Sequence, residues 1–265
     1  MFSLVFFYSS AKLPTGEYRW LTDAEIAAID FTEPPDVNAD TSYFVECDLE
    51  IPETLHRELS DFPPAPENTL VERDSLSEVA RTQLANAPGN GNQLLAVPKL
   101  VASLSPKKNY ICHQRALHTY LRMGVKITRI HKVLAFEQKD FVREYIQKMT
   151  LYRQQASTFS QTLAKLLMNA CFGRFAMNRK KFFQAQFSLT AEKSMKLMAS
   201  PYYESHRILS EQSVIFFIRK QRIKLQSHLL VAASILDISR SYMYELYHFK
   251  MRPRIPRLRL LYSGR

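Results

Sequence analysis

One stretch of the sequence places a cation, an amide and an aromatic ring at helical spacing. Lys165, Asn169 and Phe172 stand at positions i, i+4 and i+7, and Gly173 follows directly. Residues with this spacing lie on one face of an α-helix. The ammonium of Lys165 could hold a triphosphate, the amide of Asn169 could hydrogen-bond a base or sugar, and the ring of Phe172 could stack under a base pair. The spacing is therefore compatible with nucleotide binding.

The same stretch also has a purely structural interpretation. Leu163, Leu166, Leu167 and Ala170 fall on the other side of the predicted helix, where we expect them to pack against a core. An amphipathic helix with an exposed lysine and a glycine near its C-terminus would have this sequence without binding any ligand. Taken alone, the spacing favours this simpler interpretation.

A second candidate is the carboxylate of Asp48, near the end of the apolar segment from Ser42 to Leu49. The segment predicts a buried β-strand, which would fix the position of the carboxylate. Nearby backbone carbonyls can add further oxygen ligands, so the arrangement suits Mg²⁺. An aspartate at a strand end more often caps the following turn, and Asp48 alone does not distinguish the two roles.

Both helices and strands are predicted around these residues. Thr22 predicts a helix N-cap, and Pro14-Thr15-Gly16 predicts a turn. The remaining pattern predicts a helix after Pro52, a strand leading into a helix over 107–124, a strand over 125–136, helical spacing from Phe141 to Ala170, short strands over 183–189 and 213–218, a helix over 230–249 and a closing strand over 257–265. Without βαβ regularity, this mixture predicts the α+β class.

The charge is distributed unevenly along the chain. Residues 1–100 contain 6 Lys and Arg against 17 Asp and Glu, whereas residues 101–265 contain 30 against 8. A basic segment of this size favours a polyanionic partner, because neutralised phosphates release counterions. A solvated basic surface is the alternative interpretation.

The rest of the composition excludes several protein classes. Three widely spaced cysteines, Cys47, Cys112 and Cys171, indicate a reducing, intracellular compartment and no zinc site. The apolar start, residues 1–14, is too short to span a membrane and lacks a basic leader, so it predicts a core strand. We expect residues 67–95 to form a surface excursion and no segment to enter a membrane. Six glycines argue against a Rossmann-type phosphate binder.

Taken in their order along the chain, these segments resemble the protein-primed family B DNA polymerases of adenoviruses and Maverick/Polinton elements, the organellar and viral type. The resemblance extends from LPTGEYRWLTDAEI through VECDLEIPETLHREL, VPKLV and KKNYICHQRALHTYLRMGVKITRIHKVLAFEQ to LMNACFGR and beyond. It therefore covers nearly the whole chain. The strand with Asp48 corresponds to motif A of the palm, and the helix with Lys165 corresponds to motif B of the fingers.

The resemblance implies a role for individual residues. Asp48 is implied as the catalytic metal ligand and Lys165 as the triphosphate ligand. Arg153 is placed where a fingers residue would reach the phosphates. Residues implied to shape the pocket of the nascent base pair are Asn169, Phe172 and Gly173, and implied contacts to the DNA strands are Lys107, Lys108 and Tyr110.

The sequence also departs from the family pattern. Ala170 replaces the usual serine, Phe172 the usual tyrosine, and Ile51 stands where a tyrosine would act as the sugar-selecting gate. Motif C, with the second catalytic carboxylates, is expected after Tyr262, where the sequence continues only as Ser263-Gly264-Arg265. From the length of the sequence we expect neither an exonuclease region nor a thumb. We therefore interpret the chain as truncated before motif C.

The implied fold is a partial polymerase right hand, palm plus fingers. The predicted division is a palm segment with motif A over 1–66, a surface insertion over 67–106, an insertion and the fingers with motif B over 107–182, and a palm return over 183–265. The implied reaction is template-directed nucleotidyl transfer by a two-metal mechanism, with Mg²⁺ or Mn²⁺ and dNTPs.

The implied partners are a DNA template and primer, with a terminal protein as a further candidate primer. The implied location is the nucleus or a viral factory. Because one catalytic carboxylate is expected without its counterpart, we predict that the chain as written is inactive. The alternative is a non-catalytic, nucleic-acid-binding remnant of a transposable element.

Overall fold

The computed structural model describes residues 11–86, 97–224 and 228–260. Most of the strand predicted at the start of the chain, part of the surface excursion and the end of the strand predicted over 257–265 lie outside the described residues. Residues 257–260 are described and do not form the expected strand.

The described residues form an α+β structure, as predicted. Its strands, numbered along the chain, are β1 (Leu13–Trp20), β2 (Thr41–Glu50), β3 (Glu67–Thr69), β4 (Lys99–Val101), β5 (Lys107–His113), β6 (Lys126–Lys139), β7 (Phe183–Ser188), β8 (Tyr203–Ser210) and β9 (Ser213–Arg219). Its helices are α1 (Asp23–Ala27), α2 (Glu53–Leu59), α3 (Glu78–Ala85), α4 (Gln114–Arg122), α5 (Arg143–Gln155), α6 (Thr158–Phe175), α7 (Ala191–Met198) and α8 (Leu229–Tyr244), which continues as a π-helix over Glu245–Met251.

The chain divides into two compact units. The first comprises Met1–Tyr152 and Ala233–Arg265, and the second comprises Arg153–Ala232. In the first unit, four antiparallel strands form a sheet in the order β1-β6-β2-β5. The strand that carries Asp48, β2, therefore has a neighbour on each side.

One face of this sheet covers the hydrophobic core of the first unit. Val45, Cys47 and Leu49 alternate along β2 and are buried in this core. The core also contains Ala116, Leu117 and Tyr120 of α4, and Tyr244 at the end of α8. Because side chains alternate between the faces of a strand, Asp48 lies on the opposite face from its neighbours Cys47 and Leu49.

Local sequence signals explain several element boundaries. Thr22 and Glu25 form a reciprocal capping box at the start of α1, which confirms the predicted N-cap. Gly124 follows α4 with φ of 90°, a conformation that side-chain-bearing residues rarely adopt. A Cβ at this position would lie 2.5 Å from Leu55 Cδ1, so both backbone conformation and space require glycine.

The predicted turn at Pro14-Thr15-Gly16 is wrong. These residues lie in β1, an edge strand whose register with β6 shifts between Pro14 and Gly16 and again after Gly16. Pro lacks a backbone donor and is tolerated at a sheet edge, and irregular pairing absorbs the positive φ of 50° at Glu17. The turn-forming residues therefore mark a bulged strand.

The second unit contains an antiparallel sheet in the order β7-β9-β8. The strands predicted over 183–189 and 213–218 are confirmed as β7 and β9. Between them, the structure adds α7 and β8, which the sequence analysis did not predict. The side chains of β8 are nearly all exposed, so this strand lacks the alternation by which half-buried strands are identified.

The predicted buried face of α6 is wrong. Leu163, Leu166 and Leu167 are exposed to 40%, 61% and 43%, whereas Ala164 and Met168 are buried. Apolar residues occur on several sides of this helix, so their spacing does not identify the buried side. The helical spacing pointed to the leucines as the buried residues. The residues that are buried are the smaller Ala164 and the flexible Met168.

Candidate functional site

Asp48 lies near the end of β2, and one of its carboxylate oxygens has two hydrogen-bond partners. The backbone N–H of Asn109 donates to Oδ1 at 2.8 Å, and Nε2 of His131 lies 2.8 Å from the same oxygen. The Asn109 amide, and then His131, lower the pKa of Asp48 below its ordinary value. These contacts favour the ionised form of a side chain that is 23% exposed.

The strands on both sides of Asp48 are irregular at this position. Opposite Asp48, the register between β2 and β5 shifts, and Asn109 of β5 has a positive φ of 51°. The register between β2 and β6 shifts on each side of the Asp48 pair, which leaves Thr128 and His131 as extra residues. Thr128 Oγ1 donates to the backbone oxygen of Asp48 at 3.3 Å. Each irregularity thus brings a hydrogen-bond partner to Asp48.

The sequence analysis did not identify His131. A signal was present: Ile127, Ile130 and Val133 recur at intervals of three residues inside a strand, where a regular strand would repeat every two. Apolar residues that recur every third position within a strand indicate β-bulges. The extra residue of each bulge has its side chain turned in a new direction.

The face of the sheet that carries Asp48 also carries cations. In the pairing of β2 with β6, Arg129 stands opposite Asp48, Lys132 opposite Glu46 and Lys126 opposite Glu50. The Lys132 ammonium lies 6.0 Å from the centre of the Trp20 ring, which is itself 61% exposed. Exposed cations beside an aromatic ring suit contact with a nucleic acid.

Metal binding at Asp48 would have to rely on few protein ligands. Within residues 11–86, 97–224 and 228–260, no three His, Cys, Asp or Glu side chains form a group that could hold a metal ion. The carboxylate chemistry fits Mg²⁺ or Mn²⁺ at one position, since Asp48 is ionised and partly exposed. Among the described residues of the first unit, Asp48 is the carboxylate that we consider as a metal anchor.

Asp237 does not supply the second carboxylate. A carboxylate within an amphipathic helix ordinarily faces solvent, but Asp237 is buried in α8 and accepts the backbone N–H of His113 at 2.8 Å. Burial raises the pKa of Asp237, and Arg240 lies 3.5 Å away. Its role is to join α8 to the end of β5, 124 residues away in sequence.

In the second unit, α6 presents the residues of the predicted nucleotide site. Lys165 is exposed and has no ion-pair partner among the described residues. One turn later, Oδ1 of Asn169 is buried without a hydrogen-bond partner. Phe172 is half-buried, and a Cβ at Gly173 would meet no atom within 4 Å. Arg153, exposed near the end of α5, is the first residue of this unit.

Two of the predicted DNA contacts have structural roles. The Lys107 side chain has no exposure, and its ammonium donates to Glu67 Oε1 and Ser103 Oγ, each at 2.6 Å. The hydroxyl of Tyr110 donates to Pro66 O at 3.4 Å, and burial raises its pKa to about 12. The Lys107 ammonium therefore does not reach solvent, which contradicts its predicted contact with DNA, whereas the contact predicted for the partly buried Tyr110 stays a prediction. Lys108 is exposed and remains a candidate.

Ile51, at the position expected for a sugar gate, is 4% exposed and belongs to the hydrophobic core. Its side chain is therefore turned away from any solvent-exposed substrate.

No described helix is long and apolar enough to cross a membrane. Cys47 and Cys112 are buried free thiols, and Cys171 is a half-buried one.

Comparison with known proteins places these observations in a family. The model of the family "DNA polymerase type B, organellar and viral" matches residues 96–247, a segment that includes Lys165, Asn169 and His131 but not Asp48. No curated protein matches the chain significantly.

Solved structures of Phi29 DNA polymerase are similar over most of the chain. An orthorhombic crystal form has 13% sequence identity and a TM-score of 0.49, covering 92% of this chain and 35% of that one. A ternary complex with primer-template DNA and incoming nucleotide has 13% identity and a TM-score of 0.48, covering 91% and 33%. The chain thus spans about a third of the length of these polymerases. Because the family model matches more than half of its 265 residues, this chain belongs to the organellar and viral family of type B DNA polymerases.

Proposed function

We propose that this chain carries the dNTP-binding helix and one metal-anchoring carboxylate of a DNA-directed DNA polymerase. The observation that carries the proposal is on α6, inside the segment that matches the family. There, the exposed cation of Lys165 precedes by one turn a buried amide oxygen of Asn169, and neither group has a partner among the residues that the structure describes. An unsatisfied buried acceptor costs about 1–3 kcal/mol, so a bound ligand that donates to it would recover that cost.

The proposed roles of the residues follow from their chemistry. The ammonium of Lys165 pairs with the triphosphate, Asn169 Oδ1 accepts a hydrogen bond from the nucleotide, and the ring of Phe172 stacks against a base. The open space beside Gly173 leaves room for a ligand. Arg153 is proposed as a second phosphate contact. The exposure of Lys165 and Arg153 and the unpartnered oxygen of Asn169 support these roles.

Asp48 is proposed as the residue that holds Mg²⁺ or Mn²⁺. A divalent ion held by Asp48 would be one of the two metals of a two-metal reaction, which together would activate the primer hydroxyl and neutralise charge on the triphosphate. The protein's own contribution is to keep Asp48 ionised and fixed by means of Asn109 and His131. The division into a palm segment with motif A over 1–66, a surface insertion over 67–106, an insertion and the fingers with motif B over 107–182 and a palm return over 183–265 stays a proposal. Within it, residues 107–152 belong to the first compact unit and residues 183–232 to the second.

DNA is the proposed partner. The excess of 30 Lys and Arg over 8 Asp and Glu in residues 101–265 supports binding to the phosphate backbone. The exposed side chains of Lys108, Lys126, Arg129 and Lys132 are candidates for these contacts, with Trp20 as a stacking surface.

A pair of lysine variants of the second unit tests the nucleotide site. We expect Lys165→Ala to weaken binding of a fluorescent dATP analogue at least about tenfold, since a charge-assisted contact is lost. The melting temperature should hardly change, because an exposed cation contributes little to stability. Lys196→Ala, which removes an exposed lysine paired with Glu192, is the control. Equal affinity of the two variants would contradict the proposal.

A primer-extension assay separates the polymerase from a non-catalytic DNA-binding protein. We expect the 265-residue chain to bind primer-template DNA in a salt-dependent manner without extending it, because no three His, Cys, Asp or Glu side chains among the described residues form a group that could hold the metal ions. Extension that Asp48→Asn abolishes would show that another carboxylate completes the site. Salt-dependent DNA binding without any dNTP binding would instead favour the non-catalytic alternative.

A further inference from the structure

The two carboxylate oxygens of Asp48 differ in their hydrogen bonds. Both of its donors, the amide of Asn109 and the imidazole of His131, contact Oδ1 at 2.8 Å. An ionised carboxylate only accepts hydrogen bonds, so His131 must carry its proton on Nε2 to make this contact. Two donors on Oδ1 restrict rotation of the side chain and leave Oδ2 as the less encumbered oxygen.

Three register shifts of the sheet lie at this contact. His131 is an extra residue of β6 and Asn109 lies at the register shift of β5, so the two donors reach Asp48 from opposite neighbouring strands. Without the bulge, regular alternation would place His131 on the same face as Val133, toward the core. The bulge instead turns His131 toward Asp48. Such irregularities re-aim specific side chains and commonly lie next to active sites.

We propose that His131 is a positioning residue for Asp48, holding Oδ1 together with the Asn109 amide so that Oδ2 is presented to the metal. This inference rests on the proposed function of Asp48 as metal anchor. His131 acts through the carboxylate and does not itself bind the ion. Partners that orient ligating groups in this way are typically worth about 10–100-fold in metal affinity or activity.

Two variants separate positioning from simple packing. His131→Phe keeps an aromatic ring and removes the donor, whereas His131→Gln keeps an N–H at a similar reach. The first measurement uses no metal: hydrogen exchange of the Asn109 amide by NMR, with the melting temperature as a check on folding. We expect exchange at least about tenfold faster in His131→Phe and close to wild type in His131→Gln. Unchanged exchange in His131→Phe, or failure of His131→Gln to recover, overturns the proposal.

The second measurement uses Mn²⁺ alone, detected by paramagnetic broadening of the Asn109 amide signal, with Asp48→Asn as the negative control. We expect His131→Phe to weaken Mn²⁺ binding about 10–100-fold and His131→Gln to restore it within a few-fold. An equal loss in both variants would make His131 a direct ligand and overturn the positioning role. If wild type shows no Asp48-dependent Mn²⁺ binding, the anchoring function of Asp48 fails, and the amide exchange alone decides whether His131 positions the carboxylate.

Discussion

Lowering the pH should destabilise the first unit through His113. This residue ends β5 and is 1% exposed, between the rings of Phe44 and Phe136 at 5.4 and 5.8 Å. Its Nδ1 accepts the backbone N–H of Arg115 at 3.2 Å, and its Nε2 lies 3.3 Å from Ser42 Oγ. With Nδ1 as acceptor, the ring is neutral and carries its proton on Nε2.

The magnitude follows from the shift in the pKa of His113. Burial, and then the positive charge of Arg115, lower this pKa from 6.5 to about 3. Below pH 6.5 the unfolded chain binds a proton that the folded chain does not bind until about pH 3, so acid favours unfolding. The stabilisation is complete above pH 6.5 and decreases as the pH falls toward 3. At pH 5, about 1.5 units below the unfolded value, the loss is about 2 kcal/mol at roughly 1.36 kcal/mol per unit.

Urea denaturation at pH 7 and pH 5 measures this loss. His113→Asn is the informative variant, because its side-chain oxygen can accept the Arg115 amide but does not titrate. Its free energy of unfolding should fall by about 2 kcal/mol less than that of wild type between the two pH values. His206→Asn, at an exposed histidine of β8, is the matched control and should behave as wild type. Asp237, which bonds the backbone of His113, is present in every variant, so its contribution cancels.

The histidine ring itself provides the refuting measurement. If the NMR signals of His113 titrate between pH 7 and 5.5, the ring is accessible to protons in the folded chain. The same conclusion would follow if wild type and His113→Asn lost equal stability at pH 5.

Four further substitutions test the packing. In urea denaturation, Met168→Ala should lower the free energy of unfolding by about 2–5 kcal/mol, whereas Leu167→Ala should lower it by less than about 1 kcal/mol. The reason is that the Met168 side chain is 3% exposed and that of Leu167 is 43% exposed. The reverse order would support the buried face first expected for α6. Gly124→Ala should destabilise by about 1–3 kcal/mol through its positive φ and its contact with Leu55, and a neutral effect would contradict this. Gly173→Ala should stabilise α6 by about 0.5–1 kcal/mol in the same assay, because a Cβ at this position meets no atom within 4 Å. Destabilisation would contradict the open space described beside Gly173.

Elements defined by local interactions could be predicted from the sequence. The helix after Pro52 and the cap at Thr22 depend on residues within one turn, and they are found where expected. The end of α4 at Gly124 depends on one glycine. The strand with Asp48 was identified as an apolar segment, and one face of β2 is buried in the core.

Features that depend on distant partners could not be predicted in the same way. The burial of Lys107 depends on Glu67, 40 residues earlier in the chain, and a lysine next to Lys108 gives no sign of this partner. The burial of Asp237 likewise depends on the backbone of His113. In each case the local sequence indicates a solvated charge, and only the tertiary contact reverses that interpretation.

The surroundings of Asp48 show why β6 has two bulges. Since side chains alternate along a strand, a single extra residue would transfer every later side chain of β6 to the opposite face. Two extra residues, His131 and Thr128, restore the alternation: Val133 pairs with Val45 before them and Ile127 pairs with Leu49 after them, both on the core face. The hydrophobic core thus remains continuous across the irregular segment, and only the residues within it change direction. The core therefore tolerates the irregularity that brings His131 to Asp48, because the second bulge cancels the shift introduced by the first.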